Sequence, residues 1–292
     1  MKQLLILSGK GGTGKTTIAS AFIKLSEARA YADCDVDAPN LHITVGWTLE
    51  PKETDYFGLP RAEVDPKLCT ACDLCRQHCR FDAISVDVNY KVDPFACEGC
   101  GVCEFVCPAG AIRMVPQVAG ELMLYADSES VFSTAQLKMG RGTSGLLVTE
   151  VKRQMKAAAP GAELAIIDGS PGIGCPVIAS LSGVDMVLIV AEPSVSGISD
   201  LKRIIDTARK FGTKTAVCIN KHDTNLENTR RIEELCQAQG LPFLGRIPFD
   251  SAAVKAINQG FSIVEVDCKS GIAVRQVYEK TIDVLFNEET AE

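Results

Sequence analysis

The sequence predicts an α/β fold: a doubly wound, mostly parallel sheet with helices on both faces, into which a small α+β segment is inserted. Three observations carry this. A short apolar run, Leu4-Leu5-Ile6-Leu7, opens directly into a glycine-rich loop, Ser8-Gly9-Lys10-Gly11-Gly12-Thr13-Gly14-Lys15-Thr16-Thr17. In the second half, apolar runs alternate with helical patterns: 186–190 then 198–211, 215–219 then 226–239, and 243–247 then 252–258. Such alternation marks parallel strands joined by helical crossovers. Between the two regions lie eight of the thirteen cysteines, in two runs of one spacing.

The first strand and its loop match the phosphate-binding pattern G-x-x-x-x-G-K-[ST] from Gly9 to Thr16. The glycines let the backbone curl with its N–H groups turned toward phosphate, and a helix starting near Lys15 adds its positive end. Lys15 is expected to reach the outer phosphates and Thr16 to ligate magnesium. A purely structural strand-to-helix turn would not need the Gly-Lys-Thr that closes this loop.

The cysteine runs are Cys69-x-x-Cys72-x-x-Cys75-x-x-x-Cys79 and Cys97-x-x-Cys100-x-x-Cys103-x-x-x-Cys107. With this spacing three thiolates hold three irons of one cubane, and the fourth cysteine crosses to the other cluster. Cys69, Cys72, Cys75 and Cys107 are therefore expected to hold one [4Fe-4S] cluster, and Cys97, Cys100, Cys103 and Cys79 the second. Zinc also takes paired thiolates, but its sites usually use two C-x-x-C pairs and leave the third and the spaced fourth cysteine without a role. The repeat extends past the cysteines: Val64-Asp65-Pro66 recurs as Val92-Asp93-Pro94, and Ala83-Ile84 as Ala111-Ile112, at one offset of 28 residues. Two pseudo-symmetric halves follow, since neither could complete a cluster alone. One departure is visible, Arg80 standing where the second run has Pro108. Cys34, Cys175, Cys218, Cys236 and Cys268 are scattered, and most are expected to be small buried hydrophobes.

Composition excludes several classes. A net charge of -7 and no concentrated basic stretch argue against nucleic acid as a partner. No apolar run approaches the roughly 20 residues needed to cross a bilayer. The N-terminus lacks a signal-peptide pattern, so a cytoplasmic protein with reduced thiols is expected, and a disulfide framework is not. The last residues, 283–292, are acidic, against the basic amphipathic helix that would anchor a chain to membrane.

Three more segments bear on the nucleotide. Asp33-Cys34-Asp35-Val36-Asp37-Ala38-Pro39-Asn40-Leu41 follows a short strand near residues 30–32. Leu164-Ala165-Ile166-Ile167-Asp168-Gly169-Ser170-Pro171-Gly172 reads as a strand ending in a carboxylate, Asp168, that holds magnesium through water. Turn formation is the simpler role for aspartates so spaced, but their place after predicted strands favours the site. Asn220-Lys221-His222-Asp223 matches the N-K-x-D guanine pattern.

Lys10, at the second position of Gly-Lys-Gly-Gly-Thr-Gly-Lys-Thr-Thr, makes the loop resemble the deviant Walker A of the MinD/ParA/nitrogenase iron protein group. The resemblance implies that Lys10 reaches nucleotide bound by a facing subunit, so that the ATP state is a dimer, homomeric or heteromeric. It implies further that Asp35, in a first switch, orients the attacking water and helps organise magnesium, and that Asn220, Pro248 and Asp250 bind the base. ATP is favoured over GTP because the Lys10 loop belongs to an ATPase group. Residues 62–116 resemble a bacterial two-cluster ferredoxin, and the whole chain resembles MinD-superfamily P-loop ATPases that carry one, with the ATPase formed by 1–61 and 117–292. Strand structure is expected over 122–131, a loop at 140–145, and a helix ending near residue 159.

Three functions are compatible with this resemblance: an ATP-gated electron carrier with an unidentified redox partner, a metallocluster assembly ATPase, and a positioning ATPase. Permanent crossed ligands favour the first, and the acidic end disfavours the third. Cys175 lies seven residues after Asp168, the step that leads to a cluster ligand in the nitrogenase iron protein, but without a second cysteine upstream a buried, inert thiol is expected.

Overall fold

The computed structural model describes residues 1–26, 28–47 and 49–287. In chain order the first elements are β1 (Lys2–Leu7), α1 (Lys15–Ser26), β2 (Ala30–Asp33), α2 (Leu41–Val45) and β3 (Lys52–Phe57). The cysteine-rich stretch holds β4 (Arg61–Val64), α3 (Leu74–Gln77), β5 (Ile84–Val86), β6 (Tyr90–Val92), α4 (Val102–Phe105) and β7 (Ile112–Val115). Then come β8 (Val118–Ala126), β9 (Val131–Leu137), α5 (Ser144–Ala158), β10 (Leu164–Asp168), α6 (Cys175–Leu181), β11 (Met186–Ala191) and α7 (Val195–Lys210). The last are β12 (Lys214–Asn220), α8 (Leu226–Ala238), β13 (Phe243–Ile247), α9 (Ser251–Asn258) and α10 (Lys269–Phe286).

Nine strands form the main sheet in the order β13-β12-β11-β1-β10-β2-β9-β8-β3. From β13 to β9 every pairing is parallel; β8 and β3 run antiparallel at one edge. In β1, Leu4 and Ile6 face a core shared with Phe22 of α1 and Val274 of α10, while Leu5 and Leu7 face one shared with Leu147 of α5 and Leu201 of α7. The strand is apolar on both faces because both are covered by helices, which is why its sequence shows a run and not an alternation. The expected strand over 122–131 is instead a hairpin, β8 and β9, turning at residues 127–130. The sequence reading also missed β3, whose Lys52-Glu53-Thr54-Asp55 is mostly exposed and carries no apolar signal. It missed α10 as well, where Val274, Val277, Thr281 and Leu285 line the buried face. Asp283 to Phe286 of the acidic end thus close α10, whereas Glu288 to Glu292 lie outside the described residues.

The stretch between β3 and β8 leaves the sheet at its edge and returns where it left, since Phe57 pairs with Val118. It forms two small sheets of its own, β4 with β7 and β5 with β6, around a minor core of Ala62, Cys75, Ile84 and Ile112. The halves are related by the 28-residue offset in detail. Asp65 N–H donates to the Ala111 carbonyl and Asp93 N–H to the Ala83 carbonyl, both at 2.7 Å. Ala71, Asp73 and Asp82 take positive φ (56°, 64° and 51°), as do their counterparts Gly99, Gly101 and Gly110 (67°, 76° and 60°). One half tolerates side chains in the left-handed region where the other uses glycine.

Lys152 of α5 is buried at 6% exposure, and its Nζ donates to the carbonyls of Ala179 (3.2 Å), Ser180 (2.6 Å) and Ser182 (2.6 Å). Those carbonyls end α6 and have no partner within the helix, so the ammonium closes them. Burial lowers its pKa from 10.5 to about 8, against the pull of Cys34. Lys152→Met should therefore lower stability at pH 7 by about 2 kcal/mol, as the carbonyls lose their donor. Because the folded pKa lies below the unfolded one, wild type should gain stability relative to the variant as pH rises from about 8 toward 10.5, which thermal melts across that range would record.

A candidate nucleotide site and two cysteine-lined cavities

The loop after β1 carries the positive-φ glycines Gly12 (78°) and Gly14 (90°), and a Cβ at Gly14 would collide with the Asn220 amide, one at Gly9 with Asp200. The backbone can therefore follow this path only with glycine at those places. Ile18 N–H donates to the Gly14 carbonyl at 3.0 Å and starts α1. Thr13 Oγ1 is buried in the loop with no hydrogen-bond partner among the described residues, as suits a donor meant for a phosphate oxygen.

Lys15 is buried, and its Nζ lies 2.6 Å from Asp168 Oδ1; Thr16 Oγ1 donates to Asp168 Oδ2 at 2.7 Å. The two side chains expected at phosphate and magnesium thus both rest on the carboxylate expected to hold magnesium. Asp168 ends β10 and Asp33 ends β2, side by side in register. Burial opposes the Lys15 charge, yet Asp168, with Asp33 and Asp35 behind it, outweighs burial and raises the ammonium's pKa. Asp33 is raised by burial and then by Asp168's charge, against backbone donors and Lys15. Its carboxylate accepts from the N–H groups of Asp35 (2.9 Å), Asn40 (2.9 Å) and Leu41 (3.0 Å), so it shapes the loop that presents Asp35. Half-buried Asp35 is likewise raised by burial, while Lys15 pulls it down. Sequence reasoning assigned Asp33 no role; its signal was its place as the last residue of a buried strand.

A cavity beside the loop is lined by Thr17, Asn220, Lys221, Pro248, Phe249 and Asp250, with apolar walls from α1, α9 and α10. Asn220 Nδ2 donates to the Thr13 carbonyl at 2.7 Å and Lys221 Nζ to that of Gly12 at 2.8 Å, tying the end of β12 to the loop. Asp250 accepts from the N–H groups of Ala252 and Ser270 and so caps α9 while edging the cavity. Asp223, the carboxylate that the N-K-x-D pattern would turn to guanine, accepts from Phe249 N–H at 2.8 Å and is not among the described residues lining the cavity.

Lys10 Nζ lies 2.8 Å from Glu192 Oε2 and donates to Ser194 Oγ at 3.1 Å, both in the turn after β11. Within one chain the lysine is thus occupied in cis, by residues the sequence reading passed over.

Two cavities lie in the stretch between β4 and β7. Cys79, Cys97, Cys100 and Cys103 line one; Cys69, Cys72, Cys75 and Cys107 line the other. Each thus gathers three cysteines of one run and the fourth of the other. Burial raises the Cys75 thiol, and Cys69 and Cys72 add to it; burial, then Cys97 and Cys100, do the same to Cys103. Crowded thiols oppose one another's ionisation unless positive charge stands among them. Among the described residues no three His, Cys, Asp or Glu side chains converge as ligands of one metal ion would. Arg80 is exposed, and the turn it precedes keeps the conformation of its counterpart. Cys34, Cys218, Cys236 and Cys268 are buried as expected, but Cys175 is exposed, because it begins α6 at the surface.

The sequence pattern of the CobQ/CobB/MinD/ParA nucleotide binding domain family matches residues 4–263. The chain belongs to this family. It is a MinD/ParA-type ATP-binding ATPase. An uncharacterised protein of Methanocaldococcus jannaschii is 32% identical over 284 residues, 95% of each chain. An iron-sulfur cluster carrier protein of Pyrococcus furiosus is 23% identical over 304 residues, covering 97% of this chain and 86% of its own. Among solved structures, the septum site-determining protein MinD of Pyrococcus horikoshii, complexed with Mg-ADP, superposes with a TM-score of 0.58 at 17% identity, covering 96% of this chain and 95% of that one. At that identity the likeness is one of fold. Among the described residues no helix is long and apolar enough to cross a membrane.

Removing Lys15 leaves Asp168 and Asp33 buried side by side. Lys15→Met should destabilise the nucleotide-free chain by about 3–5 kcal/mol, the usual result of unpairing a buried charge. Without the ammonium, which pulls Asp33 down, the Asp33 carboxyl is raised further, so the loss should deepen as pH rises above about 4, where the unfolded carboxyl ionises first. Denaturant titrations at pH 5 and pH 8 measure this.

Proposed function

We propose that the protein is an ATPase whose nucleotide-dependent dimer is coupled to electron transfer through two [4Fe-4S] clusters. The observation that carries this reading is the grouping of the eight cysteines into two cavities, each completed by a cysteine from the opposite run. The donor sets fit: Cys69, Cys72, Cys75 and Cys107 would hold one cluster, and Cys97, Cys100, Cys103 and Cys79 the other, within an inserted ferredoxin-like domain over 62–116. Such clusters supply one-electron uptake and release at potentials set by charge and hydrogen bonding near sulfur, of which the Ala111 N–H at 3.3 Å from Cys107 Sγ is one instance. Crossed ligands favour a permanent redox role over a cargo role, since releasing either group would pull apart both halves of the segment.

On the nucleotide side, ATP lies along residues 9–17 with its base in the cavity at Asn220, Pro248 and Asp250. Magnesium would be held by Thr16 and Asp168, with Asp35 helping to organise it and orienting the water, and Lys15 would move from Asp168 to phosphate. Lys10 leaves Glu192 for the phosphates of a second subunit, identical or a sibling, and the closed state gains charge-assisted contacts that the open one lacks. A second reading, a cluster assembly or carrier ATPase with a metallocluster acceptor as partner, is favoured by the relatives named as iron-sulfur cluster carriers. Transfer of iron and sulfide to an apo-acceptor, with loss from this protein, would replace the first reading by the second.

Protein prepared anaerobically should contain two four-iron clusters by iron and sulfide analysis and show two interacting paramagnetic centres on reduction. Cys107→Ser should damage the centre built by Cys69, Cys72 and Cys75; damage confined to the other centre would refute the crossed assignment.

Lys10→Ala should keep the fold and both clusters yet lose ATP-dependent dimerisation in sedimentation and most hydrolysis. Unchanged assembly in the variant would remove Lys10 from the dimer contact.

A further inference from the structure

We propose that the two cysteine-lined cavities are inequivalent: the one lined by Cys79, Cys97, Cys100 and Cys103 responds to nucleotide through the helix pair α5–α6, and the other is insulated from it. The inference rests on the cluster-bearing reading above and names which site is regulated and by what route.

The route begins at Asp168, where any change in the grip of Lys15 and Thr16 is felt. The segment that follows is tied back to β1 and its loop, Gly169 N–H donating to the Ile6 carbonyl (2.9 Å) and Gly172 N–H to that of Ser8 (3.0 Å). Two residues past Gly172, Gly174 caps α6. That helix is fixed to α5 at both ends. A Cβ at Gly145 would lie 3.1 Å from the Cys175 carbonyl oxygen and 3.3 Å from its Cβ. At the other end Lys152 Nζ holds the carbonyls of Ala179, Ser180 and Ser182. A shift of the segment after Asp168 therefore carries α5 with α6, since neither can slide without breaking one of these contacts.

The loop that leads into α5 in turn reaches one cysteine loop. Thr143, at φ 73°, precedes the helix, and Gly140 packs on Phe95: a Cβ there would lie 3.2 Å from Phe95 Cδ1. A Cβ at Gly142 would stand 4.0 Å from Glu98 Oε2, and one at Gly99 would meet the Pro60 carbonyl. Phe95, Glu98 and Gly99 flank Cys97 and Cys100. Their counterparts in the first half are Lys67, Thr70 and Ala71, and a Cβ at Gly140, Gly142 or Gly145 would have none of residues 65–82 among its nearest neighbours. The repeat is broken at the very residues that touch the ATPase frame.

The test is a dithionite titration of the full-length, cluster-loaded protein followed by paramagnetic resonance, with ADP and with a non-hydrolysable ATP analogue. Each step measured is the uptake of one electron from dithionite, with no bond made or broken. Cys97→Ser and Cys69→Ser identify which signal belongs to which cavity. The centre assigned to Cys97 should shift by an amount equal to roughly tenfold tighter nucleotide binding in one redox state, about 59 mV for one electron, and the other centre by less than a third of that. Phe95→Ala, a change at a side chain 77% exposed, should abolish the shift with nucleotide affinity and iron content unchanged, and Phe95→Leu should restore it. A shift in the Cys69 centre, equal shifts in both, or a shift that survives Phe95→Ala would overturn the route while leaving the coupled reading intact. No shift in either wild-type centre, with nucleotide bound and both clusters present, would sink the parent reading and this inference together.

Discussion

The Lys15–Asp168 ion pair, with Asp33 alongside, is the constraint around which the nucleotide-binding half of the molecule is arranged. It sits at the carboxyl ends of three adjacent parallel strands in the middle of the sheet, β1, β10 and β2, beside the N-terminus of α1. Two carboxylates in register on neighbouring strands would repel each other at that depth. One ammonium, delivered by the glycine-rich loop, makes the arrangement tenable, and the N–H groups of Asp35, Asn40 and Leu41 satisfy the second carboxylate. The same balance makes the site responsive, because any ligand that competes for Lys15 or brings its own cation to Asp168 alters the field felt by both loops.

The cysteine-rich stretch obeys a different constraint. Its halves cannot be separated, since each cavity borrows a cysteine from the other run, and the backbone meets this with matched left-handed residues at corresponding positions. The main sheet accommodates it because the chain exits and re-enters between paired residues of an antiparallel edge, Phe57 and Val118. An insertion whose ends already lie together leaves the parallel centre undisturbed. Among the described residues no hydrogen bond or ion pair joins this stretch to the frame, so what passes between them must travel through chain connections and a few close contacts.

Those contacts give Lys152 a significance beyond helix capping. A buried lysine serving three carbonyls is an expensive way to end a seven-residue helix, and it binds α6, which follows the Asp168 segment, to α5, whose leading loop borders the cysteine loop. Lys10 likewise joins the loop after β1 to the turn after β11, through Glu192 and Ser194.

How much of this was legible in the sequence follows from the range of the interactions. Local patterns determined the phosphate loop, the alternating strands and helices, the cysteine spacing with its repeat, and Asp168 at a strand end, because glycine conformations, buried runs and ligand spacing act over a few residues. Strand β3 escaped because an exposed edge strand needs no apolar face, and α10 because its pattern was read with an acidic tail. The partners of Lys10, the loop-shaping role of Asp33, the absence of Asp223 from the described lining of the cavity at Asn220 and the reach of Lys152 were decided only by the tertiary structure. Each joins residues far apart in the chain, and which polar groups meet at such distances is set by the order of strands in the sheet, which no local pattern encodes.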